Sequence, residues 1–292
     1  MNDSALTTGR NYLDLTKPRL LPMVLFTGLP VLGMAAGGWP NATFSVLVMT
    51  GIALAAASAN TLNAYIEREQ DALMERTKTR PLPAGLIEPR SALLFGLALG
   101  VISTLLLYGV SGAAAALVGL ASILFYVFVY TLWLKPRSIW NAVIGGAAGA
   151  AAPLIADAAV NGSVGIAGWT LFAIVFFWQP PHVWAIALYR KDDYRAAGIP
   201  MPPEVIGDEA TRKRVVWYTA GLLPVTVAPY FLGLAGPIYF VVAAGMGVWF
   251  LYRAWRLFEE RTEEAAQGVF RVSLVFLSAV FLALLVDLLI AF

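Results

Sequence analysis

The sequence predicts an all-α integral membrane protein with nine transmembrane helices, an N-terminus in the cytoplasm and a C-terminus outside. Of the 292 residues, 59 % are hydrophobic and only 13 % are charged, which is about half the charged share of a soluble domain. Apolar stretches of about 20 residues, the length that crosses a hydrocarbon core, recur from Leu20 to the C-terminus. Basic residues are confined to alternate connections between those stretches.

The predicted spans follow one another along a single domain, residues 1–292, with no segment left for a soluble domain. Several spans contain Pro or Gly, which membrane helices tolerate when neighbouring helices satisfy the freed backbone groups. The polar start of the chain and the long first apolar run do not fit a secretory signal peptide. The spans are residues 20–39, 42–64, 91–109, 112–134, 139–159, 166–189, 215–234, 236–252 and 272–292.

The distribution of basic residues predicts the orientation of the chain. All twenty Lys and Arg residues lie in the N-terminal tail, in the connections after the second, fourth, sixth and eighth spans, or at their edges. Such residues accumulate on the cytoplasmic side of membrane proteins. The long cytoplasmic connections, residues 65–90 and 190–214, are therefore expected to carry the catalytic polar groups. A third connection, residues 253–271, is predicted to be an amphipathic helix on the membrane surface.

The composition also excludes several kinds of chemistry. The chain has no cysteine, which rules out disulfides, thiolate zinc sites, thiol nucleophiles and covalent c-type haem attachment. The net charge of +2, without long runs of like charge, gives no indication of nucleic-acid binding. The expected surroundings are the lipid bilayer and small-molecule substrates.

The first motif with chemical content, NAYIEREQDALMERTKTRPLPAG, lies at residues 63–85. Asn63, Glu67 and Asp71 are four residues apart, so on a helix they line one face. Their oxygens suit Mg²⁺, which shares its coordination shell with waters and substrate phosphates. The alternative is an ordinary solvated helix end with surface salt bridges. Basic side chains that can bind phosphate oxygens follow closely, and they are Arg76, Lys78 and Arg80.

The second motif, FFWQPPHVWAIALYRKDDYRAAGIPMPPEV, occupies residues 176–205, from the sixth span into the next cytoplasmic connection. His182 is the only histidine of the chain, and an ionisable residue within a span is a functional candidate. The alternative is a packed, hydrogen-bonded core histidine. Tyr189 and Asp193 are again four residues apart, so Asp193 is expected to supply a metal ligand that faces the first motif.

A third motif, YTLWLKPRSIWNAVIGGAAGAAAP, lies at residues 130–153. Its glycines and alanines form a small-residue face suited to close packing of membrane helices. Asn141 is a lone amide in apolar surroundings. Lys135 and Arg137, at the cytoplasmic edge of the fourth span, are expected to extend the anion-binding rim.

Together the three motifs resemble those of the UbiA superfamily of intramembrane prenyltransferases, and within it the haem O synthases. The first motif matches the family's Asn, carboxylate and Asp at four-residue steps, with Glu67 where Asp is also common, followed by basic RT and RPL elements. The stretch WQPPHVWAIALYRKDDYRAAGIPM resembles the haem-synthase form of the second motif. Asp192 stands where the family often has a basic residue, so Asp193 is the better match for the motif's acid. LTKPRL, residues 15–20, resembles the entry segment.

This resemblance implies a UbiA-type bundle in the cell membrane whose active site faces the cytoplasm. The implied reaction transfers a farnesyl group from farnesyl diphosphate to a vinyl group of haem B, with Mg²⁺ as cofactor. His182 is then a contact of haem, at its iron or its edge. The implied metal ligands are Asn63, Glu67, Asp71 and Asp193, which with Tyr189 are also the implied catalytic residues. The implied diphosphate-binding residues are Arg76, Lys78, Arg80, Lys135 and Arg190.

Three other functions stay open at this point. One is a UbiA-type enzyme that acts on an aromatic or quinone-precursor acceptor, which the PHVW element disfavours. Another is a small transporter, although carriers place their polar groups near the bilayer midplane and this chain collects them at one face. The third is a non-catalytic assembly protein of a respiratory oxidase. Haem-modifying or oxidase-assembly proteins are expected as downstream partners of a haem-processing enzyme.

Overall fold

In the computed structural model, which describes residues 3–291, every regular element is a helix. Phe292, the end of the ninth predicted span, lies outside the described residues. In chain order the helices are α1 (Asp3–Leu15), α2 (Leu21–Ala36), α3 (Ala42–Ile66), α4 (Arg68–Leu73), α5 (Pro89–Ser111), α6 (Ala113–Leu124, continued as a π-helix over Phe125–Leu134), α7 (Asn141–Gly149), α8 (Ala152–Asn161), α9 (Ile166–Tyr189), α10 (Lys191–Ala196), α11 (Pro202–Val205), α12 (Asp208–Phe231), α13 (Pro237–Glu260) and α14 (Glu263–Ala291).

Helices overlap all nine predicted spans, but only seven helices of residues 3–291 are long and apolar enough to cross a membrane alone. The first predicted span corresponds to α2, which has 16 residues and is shorter than the usual length of about 20. The seventh corresponds to α12, whose first two turns read DEATRKR and lower its mean hydropathy. The all-helical membrane fold is confirmed, and the count of nine spans stays a prediction.

The prediction of a separate surface helix over residues 253–271 is wrong. α13 continues to Glu260 and α14 begins at Glu263. A turn with Arg261 at a φ of 60° joins the two helices. Amphipathic periodicity indicates a helix with one polar face, but it does not distinguish a helix on the membrane surface from the polar ends of two long antiparallel helices.

Small residues bring the membrane helices into close contact. The Ser58 hydroxyl of α3 donates to the Gly96 carbonyl of α5 at 2.8 Å, and the Ser103 hydroxyl of α5 donates to the Gly51 carbonyl of α3 at 2.7 Å. A Cβ atom at Gly51 would lie 2.6 Å from the Leu107 side chain. Such small-residue contacts and interhelical hydrogen bonds are the main means by which helices associate in lipid.

Two buried carboxylates cap helices at the ends remote from the two long connections. The Asp157 carboxylate of α8 accepts hydrogen bonds from the Gly165 and Gly168 backbone N–H groups, at 2.9 and 2.7 Å, at the start of α9. The Asp287 carboxylate of α14 accepts one from the Tyr239 N–H, at 2.8 Å, in the first turn of α13. A carboxylate at a helix N-terminus satisfies otherwise unpaired N–H groups and is favoured by the helix dipole. These two acids therefore orient helices and lie apart from the predicted site.

Candidate active site

The first motif lies where α3 gives way to α4, and its helical repeat is maintained through the junction. Glu67 separates the two helices, yet its N–H bonds to the Asn63 carbonyl at 2.9 Å and its carbonyl accepts from the Asp71 N–H at 2.7 Å. The three side chains therefore occupy successive turns, as their spacing predicts. All three are buried, with exposed fractions of 2 to 7 %. They are therefore not the surface charges of an ordinary solvated helix end.

A basic side chain pairs with each of these three residues. Lys17 Nζ donates to Asn63 Oδ1 at 2.8 Å. Lys135 Nζ donates to Glu67 Oε2 at 2.6 Å, and Arg80 Nη1 donates to Asp71 Oδ2 at 2.8 Å. Three cations thus surround two carboxylates. The excess positive charge suits a substrate that carries several negative charges.

Lys17 has an unusual backbone conformation and a lowered pKa. It precedes α2 and has a φ of 54°, which is uncommon for a residue other than glycine. Desolvation, reinforced by the nearby charge of Arg80, lowers the pKa of Lys17 from 10.5 to about 8. The ammonium group therefore loses its proton at a lower pH than an exposed lysine does.

The π-helical end of α6 also contributes residues to the cluster. Its wider turns, with the Lys135 N–H bonded to the Tyr130 carbonyl five residues earlier at 2.8 Å, bring Thr131 and Lys135 to the first motif. Thr131 Oγ1 accepts a hydrogen bond from Asn63 Nδ2 at 3.1 Å. Short π-helical turns are rare and frequently occur at functional sites.

The other basic residues predicted to bind diphosphate lie further out. Lys78 is exposed and pairs with Glu75 at 2.6 Å. Arg76 and Arg137 are exposed, and Arg137 hydrogen-bonds the carbonyls of the preceding helix end. Arg190 is exposed, with its guanidinium 5.7 Å from the centroid of the Tyr189 ring. Of the five predicted residues, the structure brings only Arg80 and Lys135 into the carboxylate cluster.

The second motif contributes an inward-facing acid. Asp193, in α10, has a buried Oδ2 atom without a hydrogen-bond partner among the described residues. Asp192, its neighbour, is exposed and pairs with Arg195 at 3.2 Å. The preference for Asp193 over Asp192 therefore agrees with the geometry. Tyr189 and Asp193 do not share one continuous helix, because Arg190 interrupts it with a φ of −125°.

Apolar contacts bring the two long connections together. Met74, which follows α4, packs in one buried cluster with Ala187 of α9 and with Ile199 and Met201. The lone amide of the third motif fixes the same loop, because Asn141 Nδ2 donates to the Pro200 carbonyl at 3.1 Å. The first and second motifs are therefore neighbours at one end of the bundle.

A cavity of about 240 Å³ extends from this end into the bundle, and its walls are mostly apolar. The glycine face of α7 shapes one wall, as the small-residue pattern predicts: a Cβ at Gly145 would collide with the Tyr130 ring, and one at Gly149 would lie 2.8 Å from Gln179 Nε2. Gln179 Nε2 itself donates to the Gly146 carbonyl at 2.8 Å. The polar residues on its walls are Asn60, Ser122, Tyr126, Tyr130 and Gln179.

His182 lies on α9 beside this cavity, whose wall includes its neighbour Val183. Its ring stacks on Trp178 with centroids 4.4 Å apart and lies 4.9 Å from the Phe270 ring. Ser273 donates its only hydroxyl proton to the Phe270 carbonyl at 2.6 Å, and its Oγ lies 2.7 Å from His182 Nδ1. Nδ1 must therefore carry the proton and donate, which leaves the lone pair on Nε2.

The donor set fits a Mg²⁺ ion that is completed by substrate. Glu67 Oε1 and Asp193 Oδ2 are both buried without a partner in the described part of the chain, and Asn63 and Asp71 add further oxygens. No group of three or more Asp, Glu or His side chains in residues 3–291 is close enough to hold a metal alone. Mg²⁺ commonly takes one or two carboxylates and fills its shell with waters and phosphate oxygens.

Sequence reasoning missed several residues of this site. Lys17 appeared only within the entry segment, and no local signal shows that it reaches Asn63 across 46 residues. The sequence also offered no reason to single out Thr131, or Tyr126 and Tyr130, whose rings are tilted with centroids 5.1 Å apart, from the other residues of an apolar helix. The π-helix that aligns them leaves no recognisable pattern in the sequence.

Comparisons with known proteins agree on a family. The UbiA prenyltransferase family matches residues 24–285. A protoheme IX farnesyltransferase of Gloeobacter violaceus is 43 % identical over 278 residues, which cover 95 % of this chain and 91 % of that protein. A protein of the same name from Acidiphilium cryptum is 44 % identical over 289 residues, covering 96 % of this chain and 91 % of the relative.

Solved structures share the fold at low sequence identity. A digeranylgeranylglyceryl phosphate synthase has a TM-score of 0.81 at 19 % identity, over 97 % of this chain and 99 % of its own. A UbiA homologue from Archaeoglobus fulgidus, bound to GPP and Mg²⁺, has a TM-score of 0.65 at 20 % identity, over 94 % of this chain and 99 % of its own. At such identities the likeness concerns the fold alone.

Proposed function

Because the chain belongs to the UbiA prenyltransferase family, we propose that it transfers a farnesyl group from farnesyl diphosphate to a vinyl group of haem B. The products are haem O, which is the hydroxyethylfarnesyl haem, and diphosphate. Relatives above 40 % identity that cover nearly the whole chain carry the name of this activity. The proposal treats residues 1–292 as one catalytic domain of a multi-pass membrane protein.

The observation that carries the proposal is the pair of unpartnered buried oxygens, Glu67 Oε1 and Asp193 Oδ2. An unsatisfied buried carboxylate oxygen costs free energy, so it indicates a ligand that binds there. The two atoms belong to two connections that pack against each other, and basic side chains surround the first. This arrangement suits a diphosphate bridged by Mg²⁺, and the Archaeoglobus fulgidus homologue, bound to GPP and Mg²⁺, is in keeping with it.

When bound, Mg²⁺ would supply positive charge at the phosphate oxygens, held by Glu67, Asp193, Asn63 and Asp71. The chain's own residues contribute the rest of the electrostatic stabilisation. Lys135 and Arg80 are fixed by their carboxylate partners at 2.6 and 2.8 Å, and from there they can share their remaining N–H groups with the departing diphosphate. Preorganised charges of this kind stabilise a transition state without reorganisation at the moment of reaction.

The outer basic residues have a different role in the proposal. Arg76, Lys78 and Arg190 are exposed, so they contribute to steering and capture of the anionic substrate rather than to the reacting centre. Tyr189 sits at the end of α9 between the two connections, where its phenol can contact the acceptor or the diphosphate.

The reaction balances without a further co-reactant besides water. The bond between the farnesyl C1 and the diphosphate oxygen breaks, and the diphosphate leaves with the electron pair. The allylic carbon then forms a bond with the terminal carbon of the vinyl group, which places positive charge on the carbon next to the porphyrin ring. Water adds there and loses one proton. The apolar walls of the cavity protect the allylic cation from earlier capture by water.

His182 is proposed as the haem contact because its free lone pair is on Nε2. A neutral imidazole with Nδ1–H engaged, here by Ser273, is the form in which histidine binds haem iron. Trp178 and Phe270 hold the ring from two sides.

We further propose that the site faces the cytoplasm of a cell-membrane protein with nine spans. The support is the location of all twenty basic residues in the N-terminal tail, in alternate connections or at their edges. Haem-modifying enzymes or oxidase-assembly proteins that accept the product are the partners that this function calls for.

The test is a reconstitution with purified full-length protein, haem B, farnesyl diphosphate and Mg²⁺, followed by mass spectrometry of the haem. The expected product is heavier than haem B by one farnesyl group and one hydroxyl group. A parallel reaction with an aromatic quinone precursor as acceptor tests the alternative UbiA activity. Product from the aromatic acceptor, with haem B unchanged, would replace the haem assignment.

A further inference from the structure

The acceptor side of the site has a cluster of basic residues that the carboxylate cluster does not use. The Tyr189 phenol is within electrostatic range of the guanidinium groups of Arg76, Arg190 and Arg271. Arg76 and Arg190 belong to the two long connections, and Arg271 lies in α14. In the described residues, no carboxylate pairs with any of the three, and the only hydrogen bond from Arg271 runs to the neutral Gln267 Oε1 at 3.3 Å.

This unneutralised cluster calls for an anionic ligand. Like charges repel one another unless counter-ions are present, so guanidinium groups without carboxylate partners near the Tyr189 phenol, including that of Arg190 at 5.7 Å from the ring centroid, favour binding of an anion. The diphosphate already has Lys17, Arg80 and Lys135 around the first motif. Arg271, in α14, was not among the predicted site residues.

Arg271 is placed on the haem side by its neighbours. It follows Phe270, whose ring lies 4.9 Å from the His182 ring and 6.4 Å from the Tyr189 ring. Ser273, which orients His182, lies on the same helix. The Phe270 ring therefore joins the rings of His182 and Tyr189, and the next residue of α14, Arg271, is exposed.

We infer that Arg271, assisted by Arg190, binds a propionate carboxylate of the porphyrin acceptor, so that the macrocycle lies along the Phe270 and Tyr189 rings. This inference rests on the proposed haem acceptor. An Arg pairs with a carboxylate through two parallel hydrogen bonds, which fixes orientation as well as charge. Such a contact would hold the macrocycle in one rotational position and select which vinyl group meets the farnesyl carbon.

The test measures binding and product position with the full-length protein in detergent. Haem B and its dimethyl ester, in which both carboxylates are capped, are titrated by absorption against the parent, Arg271→Gln and Arg271→Lys. Arg256→Gln is the matched control, because Arg256 is an exposed arginine of α13 that pairs with Glu260. The farnesyl diphosphate affinity of each variant is measured as well.

We expect Arg271→Gln to weaken haem B binding roughly fivefold to tenfold, the loss expected for one charge-assisted contact at the surface. Arg271→Lys is expected to be intermediate, and Arg256→Gln to bind like the parent. The dimethyl ester should bind the parent and Arg271→Gln equally well. The variant should also form product on both vinyl groups, where the parent uses one.

Equal loss of affinity for haem B and for its ester, or a loss for farnesyl diphosphate instead, would overturn the propionate assignment. Unchanged binding of all three ligands to Arg271→Gln would overturn it too. Neither result affects the proposed function, since the parent would still convert haem B. Failure of the parent to farnesylate haem B, with normal conversion of another acceptor, is the separate outcome that removes the proposed function.

Discussion

Lys135 Nζ donates a 2.6 Å hydrogen bond to Glu67 Oε2, while Oε1 of the same carboxylate is buried without a partner. The two residues are 68 positions apart in the chain, so the pair joins the end of α6 to the end of α3. One oxygen fixes the position of a cation, and the other stays free for a ligand. Glu67 is thus both a scaffold for Lys135 and a proposed metal ligand.

The first prediction concerns this carboxylate and its neighbour in the motif. Glu67→Gln and Asp71→Asn should each lower turnover by about 10²-fold or more, since each removes a carboxylate that would hold Mg²⁺ and that fixes a cation for the departing diphosphate. Turnover is measured at fixed Mg²⁺ on variants that melt like the parent. Glu69→Gln, at an exposed acid beside Glu67, is the control and should be near normal. Near-parental rates in both site variants would remove these acids from the chemistry.

The second prediction concerns the pH dependence set by Lys17. Its pKa of about 8 means that the ammonium loses its proton as pH rises through 8. Affinity for farnesyl diphosphate should therefore fall between pH 7 and pH 9 in the parent and change less in Lys17→Met. Binding titrations across that range check this, with Lys213→Gln, at an exposed lysine that pairs with Glu209, as the control. Parallel pH profiles for the parent and Lys17→Met would contradict it.

Deprotonation of Lys17 has the opposite effect on the stability of the folded protein. An unfolded lysine keeps the ordinary pKa of 10.5, so between pH 8 and that value the unfolded chain binds more protons than the folded one. Stability therefore increases with pH in this window, because the cost of burying a charged Lys17 is relieved. Substrate affinity and stability should thus change in opposite directions.

The sequence predicted the motifs well because their geometry is local. Asn63, Glu67 and Asp71 share one face through backbone hydrogen bonds between residues four apart, and that repeat can be read from spacing. The apolar segments likewise locate the helices, although α12, α13 and α14 extend beyond the predicted spans into the polar connections. Gly145 and Gly149 pack as the small-residue pattern indicates.

The partners of those residues could not be predicted, because they depend on tertiary packing. Lys17 reaches Asn63, and Lys135 reaches Glu67, only once α3 and α6 are packed together with the segment before α2. Lys78, in contrast, belongs to the same basic run as Arg80 but turns to the exposed Glu75. The sequence indicates which residue types lie near the site. The direction of each side chain depends on how its segment packs in the folded protein.

The third prediction separates structural acids from catalytic ones. Asp157→Asn should lower the melting temperature, because the amide keeps only one of the two oxygens. Either the Gly165 and Gly168 N–H groups or Asn161 Nδ2 then lose their acceptor, at a cost of about 1–3 kcal/mol. Asp192→Asn, at an exposed acid, is the control. Turnover of the folded Asp157→Asn protein, measured well below its melting temperature, should be close to the parent's. A large loss of turnover at unchanged stability would show that Asp157 acts in the site.

The fourth prediction concerns topology. A reporter that is active only outside the cytoplasm should be active when fused after Phe292 and inactive when inserted in residues 65–90, as the basic residues predict. A cytoplasmic reporter should give the reverse pattern. Cytoplasmic activity of the fusion after Phe292 would exclude nine spans with the N-terminus inside.

The last prediction concerns His182. His182→Ala should weaken haem B binding strongly and leave farnesyl diphosphate binding largely unchanged, because within residues 3–291 its ring hydrogen-bonds Ser273 through Nδ1 and no hydrogen bond joins it to the carboxylate cluster. Absorption spectra of bound haem provide the measurement, since loss of an axial nitrogen changes the Soret band. The variant must first be shown to melt like the parent.

Ser273→Ala serves as the partner variant, because it removes the acceptor that holds the His182 Nδ1–H while keeping the imidazole. It should weaken haem binding less than His182→Ala and shift the same band. If His182 served packing alone, both variants would lower the melting temperature and weaken both substrates together, through the buried partners they strand. Unchanged haem affinity and spectrum in a folded His182→Ala protein would exclude the histidine from the acceptor site, while the diphosphate site, which depends on Glu67, Asp71 and Asp193, would be unaffected.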